Sequence, residues 1–152
     1  LYQNIHLKHL GPEPLSAKFN IGYFKNYIKR KKKNIKNILM DQKFISGLGN
    51  IYVNEILFFS GINPAKKIKK LTDFDIQKIV KFSKKIISKA IILGGSSIKD
   101  FSSSSGKKGS FQQHFSVYGK KGENCTKVKC RGKIKKIAIA NRASFFCNKC
   151  QK

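Results

Sequence analysis

The spacing of hydrophobic residues predicts helices over the first two thirds of the chain. Hydrophobic residues recur there three or four positions apart, which is the period of a helix with one buried face. We predict four helices, over residues 16–29, 35–41, 50–60 and 72–93. Ser16 and Thr72 are the expected N-caps of the first and last helix, and Gly61 is the expected C-cap of the third.

The rest of the chain predicts an irregular loop and a small β unit. Residues 102–110 are rich in Ser, Gly and Lys and are expected to be mobile. Strand-like runs follow at residues 111–118, 133–140 and 144–146. The predicted fold class is therefore mainly α with a small β unit. We expect three parts: a linker over residues 1–15, a helical domain over 16–110 and a cysteine-containing β unit over 111–152.

The charge of the chain predicts a polyanionic partner. The 152 residues include 33 Lys and Arg against 7 Asp and Glu, a formal charge of +26. Hydrophobic residues make up 40% and can fill a core, which argues against general disorder. No apolar run approaches the roughly 20 residues of a membrane helix. Nucleic acid is the first candidate partner and an anionic membrane surface the second, although a Lys-rich surface can also serve solubility alone.

Four cysteines near the end of the chain form two pairs, Cys125 with Cys130 and Cys147 with Cys150. Four residues separate the first pair, two separate the second, and sixteen lie between the pairs. Two short knuckles joined by a hairpin-sized loop suit one tetrahedral Zn²⁺ with four thiolate ligands. No His or Asp lies between them to form an open site, so the predicted zinc is structural. Disulfides or free thiols are the alternative, which the absence of a visible secretion signal disfavours.

Two further features are candidates for phosphate binding. Residues 47–50, Gly-Leu-Gly-Asn, lead into a helix, where backbone N–H groups can approach an anion; an ordinary turn capped by Asn50 is the other interpretation. Arg142 lies between the two cysteine pairs, where a guanidinium can fork onto phosphate oxygens or simply be solvated. Glu55 is expected to pair with a lysine or a backbone group rather than to act as a catalytic acid.

Several segments in order resemble one family. They are Gly-Pro-Glu-Pro-Leu (11–15), Ile-Leu-Met-Asp-Gln (38–42), Gly-Leu-Gly-Asn-Ile-Tyr (47–52), Asn-Glu (54–55), Gly-Ile-Asn-Pro (61–64), Gly-Gly-Ser-Ser-Ile-Lys-Asp-Phe (94–101), Phe-Gln-Gln (111–113), Val-Tyr-Gly (117–119) and the four cysteines. Together they resemble the C-terminal part of bacterial formamidopyrimidine-DNA glycosylase. The resemblance implies a helix–two-turns–helix body, followed by a zinc-finger β-hairpin.

The resemblance also implies roles for individual residues. Gly47, Gly49 and Asn50 would hold a phosphate beside the lesion. Lys31 and Lys36 would contact the DNA or line the lesion pocket, and Tyr118 and Lys136 would contact phosphates. Arg142 would grip the phosphates at the flipped nucleotide and aid the δ-elimination step, which makes it the candidate catalytic residue. Residues 102–110 would close over the extruded base.

The chain departs from the family in two respects. The first knuckle has four intervening residues instead of the commoner two. The family's N-terminal β-domain, with its proline nucleophile, is missing, and the chain begins at Leu1. We therefore expect a piece of a longer glycosylase and AP lyase that acts on oxidised purines in the bacterial cytoplasm. This piece would bind damaged double-stranded DNA at the nucleoid as a monomer, with no membrane partner, and would not excise bases. A stand-alone zinc-containing nucleic-acid-binding module without enzymatic activity is the alternative.

Overall fold

The computed structural model describes residues 10–93 and 115–152 of the chain. In chain order the elements are α1 (Ile21–Ile28), α2 (Ile35–Leu39), α3 (Asn50–Ser60), a short 3₁₀ helix (Ile68–Lys70), α4 (Asp73–Ile92), β1 (Ile134–Ile139) and β2 (Arg142–Cys147). The predicted fold class, mainly α with a small β unit, is confirmed. The predicted mobile loop over residues 102–110 and the first part of the predicted strand over 111–118 lie outside the described residues.

Helix α1 begins later than the sequence predicts. Its N-cap is Asn20, whose side chain accepts a 2.9 Å hydrogen bond from the N–H of Tyr23. Ser16 instead accepts a local bond from the N–H of Lys18. The predicted start at Ser16 is wrong because the residues before Asn20 form turns that place Phe19 in the core, with its ring centroid 5.8 Å from that of Phe44.

The start of α4 and the end of α3 agree with the sequence signals, whereas α2 ends at Leu39, two residues before the predicted end. Helix α4 begins with a capping box, in which the Thr72 hydroxyl accepts from Asp75 N–H and the Asp75 carboxylate accepts from Thr72 N–H. Helix α3 ends at Gly61 with φ +72°, a left-handed conformation that glycine adopts without strain. Local hydrogen bonding therefore sets these boundaries. No helix in the described part of the chain has the length and apolar character needed to cross a membrane.

The helices enclose a hydrophobic core centred on Phe44. Helix α4 packs against α3 and α1. The ring of Phe44 contacts those of Tyr23, Phe24 and Tyr27, with centroids 5.5, 4.9 and 4.7 Å away. Aromatic pairs at these separations add to the stabilisation that burial provides. The helical part therefore has a core of its own.

The two strands form an antiparallel hairpin that packs on α3. Ile134 pairs with Cys147 and Ile139 pairs with Arg142. The tip residues Ala140 and Asn141 both have positive φ, 52° and 63°, as a tight two-residue hairpin turn requires. The strands predicted at 133–140 and 144–146 are thus confirmed, although β2 starts two residues earlier than predicted.

A second buried cluster joins the hairpin to the helical body. It includes Phe58 of α3, Val117, Ile134 and Phe145, together with two of the cysteines. Gln151, 3% exposed, accepts from the N–H of Cys147 and donates to the carbonyl of Ile62. These contacts fix the end of the hairpin against the end of α3.

Residues 115–118 do not form the strand predicted there. The N–H groups of Ser116, Val117 and Tyr118 all bond to the carboxylate of Glu55, at 2.6, 2.9 and 3.0 Å. A segment whose donors converge on one carboxylate cannot at the same time offer them to a neighbouring strand. The strand prediction is wrong for this part of the segment because a buried acid on α3 takes its hydrogen bonds.

Candidate zinc centre and nucleic-acid interface

The four cysteine sulfurs lie at the open end of the hairpin. All four Sγ atoms lie within 4.8 Å of one another. The Cys125–Cys150 separation is 3.8 Å and the Cys130–Cys147 separation is 3.6 Å. Four sulfurs about 2.3 Å from one tetrahedral Zn²⁺ would be roughly 3.8 Å apart. The donor set therefore fits one zinc ion, and none of the four cysteines forms a disulfide in the structure.

Backbone N–H groups point at the sulfurs of two of the cysteines. The N–H of Gly132 points to Sγ of Cys130, and that of Lys149 to Sγ of Cys147, each at 3.4 Å. Burial raises the pKa of Cys147, but hydrogen bonds from the N–H groups of Cys150 and Lys149 and from the thiols of Cys150 and Cys130 together lower it to about 7. Burial instead raises the pKa of Cys125 and Cys150. A thiolate is the form that ligates metal. The predicted structural zinc site is confirmed in its composition, and a zinc ion held there would cross-link the two knuckles.

The longer first knuckle gives the hairpin an additional contact with α3. Lys127, inside the four-residue spacer, donates a hydrogen bond to the carbonyl of Phe58 near the end of that helix. Its ammonium also lies 4.5 Å from the centre of the Phe58 ring. A cation at a helix C-terminus is favourable because the unpaired carbonyls carry partial negative charge. Sequence analysis identified the unusual spacing but missed this contact.

The start of α3 and the tip of the hairpin meet at one carbonyl oxygen. The carbonyl of Ala143 accepts hydrogen bonds from Nζ of Lys36 at 2.8 Å, Nδ2 of Asn50 at 3.1 Å and Nδ2 of Asn54 at 3.3 Å. We call this set the Ala143 contact. Ala143 directly follows Arg142, so the contact places the arginine beside the glycine-rich turn that opens α3.

Asn54 takes part in this arrangement although sequence analysis assigned it no role. Its Oδ1 accepts a 2.7 Å bond from the buried N–H of Phe145, and its amide also donates to the carbonyl of Asn50. The side chain is 1% exposed. The Asn-Glu segment (54–55) contributes to the family resemblance, but only the packed structure shows that the Asn54 amide is buried against a strand edge.

The glycine-rich turn is held by Gln42 rather than capped by Asn50. The Gln42 side chain accepts from the N–H of Gly47 at 3.0 Å and donates to the carbonyl of Leu48 at 3.3 Å. Gly47 has φ +88°, and Gly49 is the N-cap of α3 without a side-chain bond. The interpretation of Asn50 as an ordinary N-cap is wrong because its amide reaches the hairpin.

The other predicted site residues lie in two regions. Arg142 and Lys136 are exposed on the hairpin, and the Lys136 ammonium is 5.7 Å from the ring of Phe145. The half-buried ring of Tyr118 lies 5.2 Å from the same phenyl ring. These three therefore surround the hairpin, close to the Ala143 contact. Lys31 lies apart from them, between α1 and α2, with its ammonium 4.6 Å from the ring of Tyr27.

Lysines form a further basic surface. A depression of about 390 Å³ is lined by Lys32, Lys33, Lys67, Lys69 and Lys70, which we call the lysine cluster. Backbone bonds from Ile68 N–H to the Lys33 carbonyl and from Ile35 N–H to the Lys66 carbonyl hold its two sides together. Ion pairs within the described residues involve other lysines: Lys25, Lys66 and Lys78. The cluster therefore presents concentrated positive charge.

Two family models match the chain. Residues 10–102 match the formamidopyrimidine-DNA glycosylase H2TH domain, and residues 122–152 match the zinc finger found in FPG and IleRS. A formamidopyrimidine-DNA glycosylase of Proteus mirabilis is 46% identical over 145 residues, which cover 95% of this chain and 52% of that protein. One from a Ruegeria species is 41% identical, with 94% and 50% covered. The chain spans about half the length of the curated relatives it matches.

Solved structures of this family have the same fold. A Lactococcus lactis formamidopyrimidine-DNA glycosylase bound non-covalently to DNA containing an AP site matches with a TM-score of 0.83 and 36% identity, covering 100% of this chain and 53% of that one. The same bacterium's enzyme with DNA containing FAPY-dG gives a TM-score of 0.84 and 37% identity, with 99% and 54% covered. The chain belongs to the formamidopyrimidine-DNA glycosylase family, of which it carries the H2TH domain and the zinc finger.

Proposed function

We propose that this chain is the DNA-binding portion of a base-excision-repair glycosylase and AP lyase that acts on oxidised purines such as 8-oxoguanine and formamidopyrimidines. The family assignment supports this proposal, as do relatives named for that activity and solved complexes with damaged DNA. In the proposed reaction the nucleophile, an N-terminal proline amine, lies outside these residues. The chain alone therefore binds damaged double-stranded DNA, as a single copy, without excising bases.

The Ala143 contact is the observation that carries the proposal. It joins a strand that begins with Arg142 to the first turn of α3, where a glycine-rich turn precedes Asn50. An arginine fork and a helix N-terminus are both good phosphate ligands, and here the side chains of Asn50 and Asn54 connect the strand of the first to the helix of the second. Two phosphate-binding groups fixed relative to each other can hold a bent strand at one nucleotide.

This arrangement suits an enzyme that flips its target base. Extruding a base costs a few kcal/mol of stacking and pairing, and contacts to the backbone must offset that cost. In the proposal Arg142 holds the phosphates at the flipped nucleotide and aids the elimination step, with Asn50, Gly47 and Gly49 on a neighbouring phosphate. Tyr118 and Lys136 contact phosphates along the hairpin, and Lys31 contacts them from the helical side.

Binding to defined nucleic acids tests the proposal. The zinc-loaded chain is titrated against labelled duplex with an abasic-site analogue, intact duplex of the same sequence, and RNA of the same sequence. We expect tightest binding to the abasic duplex because its unpaired position removes the unstacking cost. Equal affinity for all three would instead support a stand-alone nucleic-acid-binding module and overturn the repair assignment.

Replacement of Arg142 by alanine tests the central contact. Loss of a forked, charge-assisted interaction of about 1.5–3 kcal/mol corresponds to roughly 10- to 100-fold weaker binding of abasic duplex. Arg131→Ala removes the same charge from the zinc finger and is the control, with a smaller effect expected. Zinc content is measured in both variants. Loss of zinc from Arg142→Ala would show that the residue is structural and would contradict the assigned role.

A further inference from the structure

Lys36 is buried although it carries charge in a strongly basic chain. Its side chain is 1% exposed, and its ammonium donates to the Ala143 carbonyl at 2.8 Å and to Ser144 Oγ at 2.6 Å. Burying an ammonium costs free energy unless partners satisfy it, and exposed lysines are plentiful in this chain. The role of Lys36 is therefore to be sought in the buried contacts that its ammonium makes.

Both acceptors of the ammonium belong to the residues that follow Arg142. The Ala143 carbonyl has two other donors, Asn50 and Asn54, and Asn54 also binds the N–H of Phe145. Three side chains from α2 and α3 thereby hold the first residues of β2. The backbone leading to the exposed arginine is fixed against the helical body instead of moving with the hairpin tip.

We propose that Lys36 is a positioning residue for Arg142, and that it acts on DNA through the Ala143 contact instead of touching a phosphate itself. This inference rests on the proposed function, because it assigns Lys36 a role only in the phosphate contact of Arg142. It changes the interpretation of Lys36 that the family resemblance implies, in which the side chain contacts the DNA or lines the lesion pocket.

Three observations favour the indirect role. Two protein acceptors already take two of the three N–H donors of the ammonium, so at most one donor remains for a phosphate. The side chain is almost fully enclosed, which leaves a phosphate no path to it without rearrangement. Burial, and then the nearby positive charge of Arg142, lower the pKa of Lys36 to about 8, so the ammonium lies within electrostatic reach of the guanidinium it is proposed to position.

A double-mutant cycle separates the two roles. Abasic-duplex affinity is measured for the native chain, Lys36→Met, Arg142→Ala and the double variant, all zinc-loaded. If Lys36 acts through Arg142, Lys36→Met weakens binding at least about threefold when Arg142 is present and by less than about 1.5-fold when it is absent. Lys81→Met, at an exposed lysine of α4, is the matched control, and its effect should be the same in both backgrounds.

Equal losses from Lys36→Met in both backgrounds would overturn the inference, because they would indicate an independent contact with DNA. No loss in either background would overturn it as well. Should Lys36→Met fail to fold or to retain zinc, the same cycle is run with Asn54→Ala, which removes another donor of the Ala143 contact. Additive effects of Asn54→Ala and Arg142→Ala would then count against the inference.

Failure of the proposed function gives a different result. In that case the native chain does not prefer abasic duplex. The attachment of β2 by Lys36 is then tested without DNA, by comparing amide hydrogen exchange in the native chain and in Lys36→Met. Lys36→Met should then speed exchange at residues 142–146 several-fold relative to α4, because β2 loses its attachment. Unchanged exchange at these residues would overturn the inference independently of any DNA.

Discussion

The carboxylate of Glu55 on α3 accepts the backbone N–H of Val117 at 2.9 Å, across 62 residues of chain. The same carboxylate accepts from Ser116 and Tyr118. Burial raises the pKa of Glu55, and the three N–H bonds oppose that rise. This acid therefore fixes the segment that carries Tyr118, and the prediction that Glu55 pairs with a backbone group agrees with these contacts.

Glu55→Gln should destabilise the chain. An amide offers one acceptor oxygen where the carboxylate offers two, so at least one buried N–H loses its partner at a cost of about 1–3 kcal/mol. Urea unfolding of the zinc-loaded protein measures the loss. Glu123→Gln, at an exposed acid, is the control. Equal stability of the two variants would show that the three bonds contribute nothing specific.

Lys36 should make stability depend on pH in alkaline solution. Its pKa is lowered from 10.5 to about 8 in the folded chain, mainly by burial. The protonated folded form is therefore penalised below about pH 8, and the penalty disappears as the pH rises towards the unfolded pKa. Relative to Lys36→Met, the native chain should gain roughly 3 kcal/mol of unfolding free energy between about pH 8 and 10.5. Urea unfolding at several pH values in this range measures the difference in unfolding free energy between the native chain and Lys36→Met. A difference that stays constant or falls as the pH rises would contradict the prediction.

Removal of zinc should unfold the hairpin and spare the helical core. The buried cluster around Phe44 is separate from the cluster that contains Cys125 and Cys147. A small β unit held by metal loses its folding energy with the ion, while the helices keep their own packing. Chelation followed by amide exchange should show loss of protection in β1 and β2 only. Simultaneous loss throughout α1–α4 would contradict this division.

Gly132→Ala should weaken zinc binding. A Cβ at this position would lie 2.4 Å from Sγ of Cys147 and 3.1 Å from Cβ of Lys149, so the ligand sulfur must move. Competition with a chromogenic chelator measures the affinity. Gly22→Ala is the control, since its added Cβ meets only the Asn20 side chain at 3.5 Å. Unchanged zinc affinity in Gly132→Ala would contradict the prediction, because it would show that the Cys147 sulfur can move aside without weakening zinc binding.

The lysine cluster should contribute to the salt dependence of DNA binding. Each phosphate neutralised by a lysine adds about 0.9 to the slope of log affinity against log salt. A variant with Lys67, Lys69 and Lys70 all changed to Gln should lower that slope by about one or more if the duplex crosses this surface. The matched control changes Lys81, Lys85 and Lys89 on α4. Identical slopes for the two triple variants would exclude the cluster from the interface.

Local signals in the sequence determined most of the secondary structure and the metal site. The capping box at Thr72 and the glycine at position 61 each act through bonds within a few residues, so the sequence alone locates those helix ends. The cysteine spacing likewise specifies a tetrahedral donor set whatever the rest of the chain does. Where packing competed with such signals, as at Ser16, the prediction was wrong.

Only the tertiary structure decided what the buried polar side chains do. The family resemblance singles out Lys36 and includes Asn54 in one of its motifs, but it does not show what either side chain touches. The fold brings both to a carbonyl 107 and 89 residues further along the chain. A hydrogen bond across such a distance has no periodicity or spacing that a sequence can show. Its energy depends on burial, which exists only once the hairpin has packed against α3.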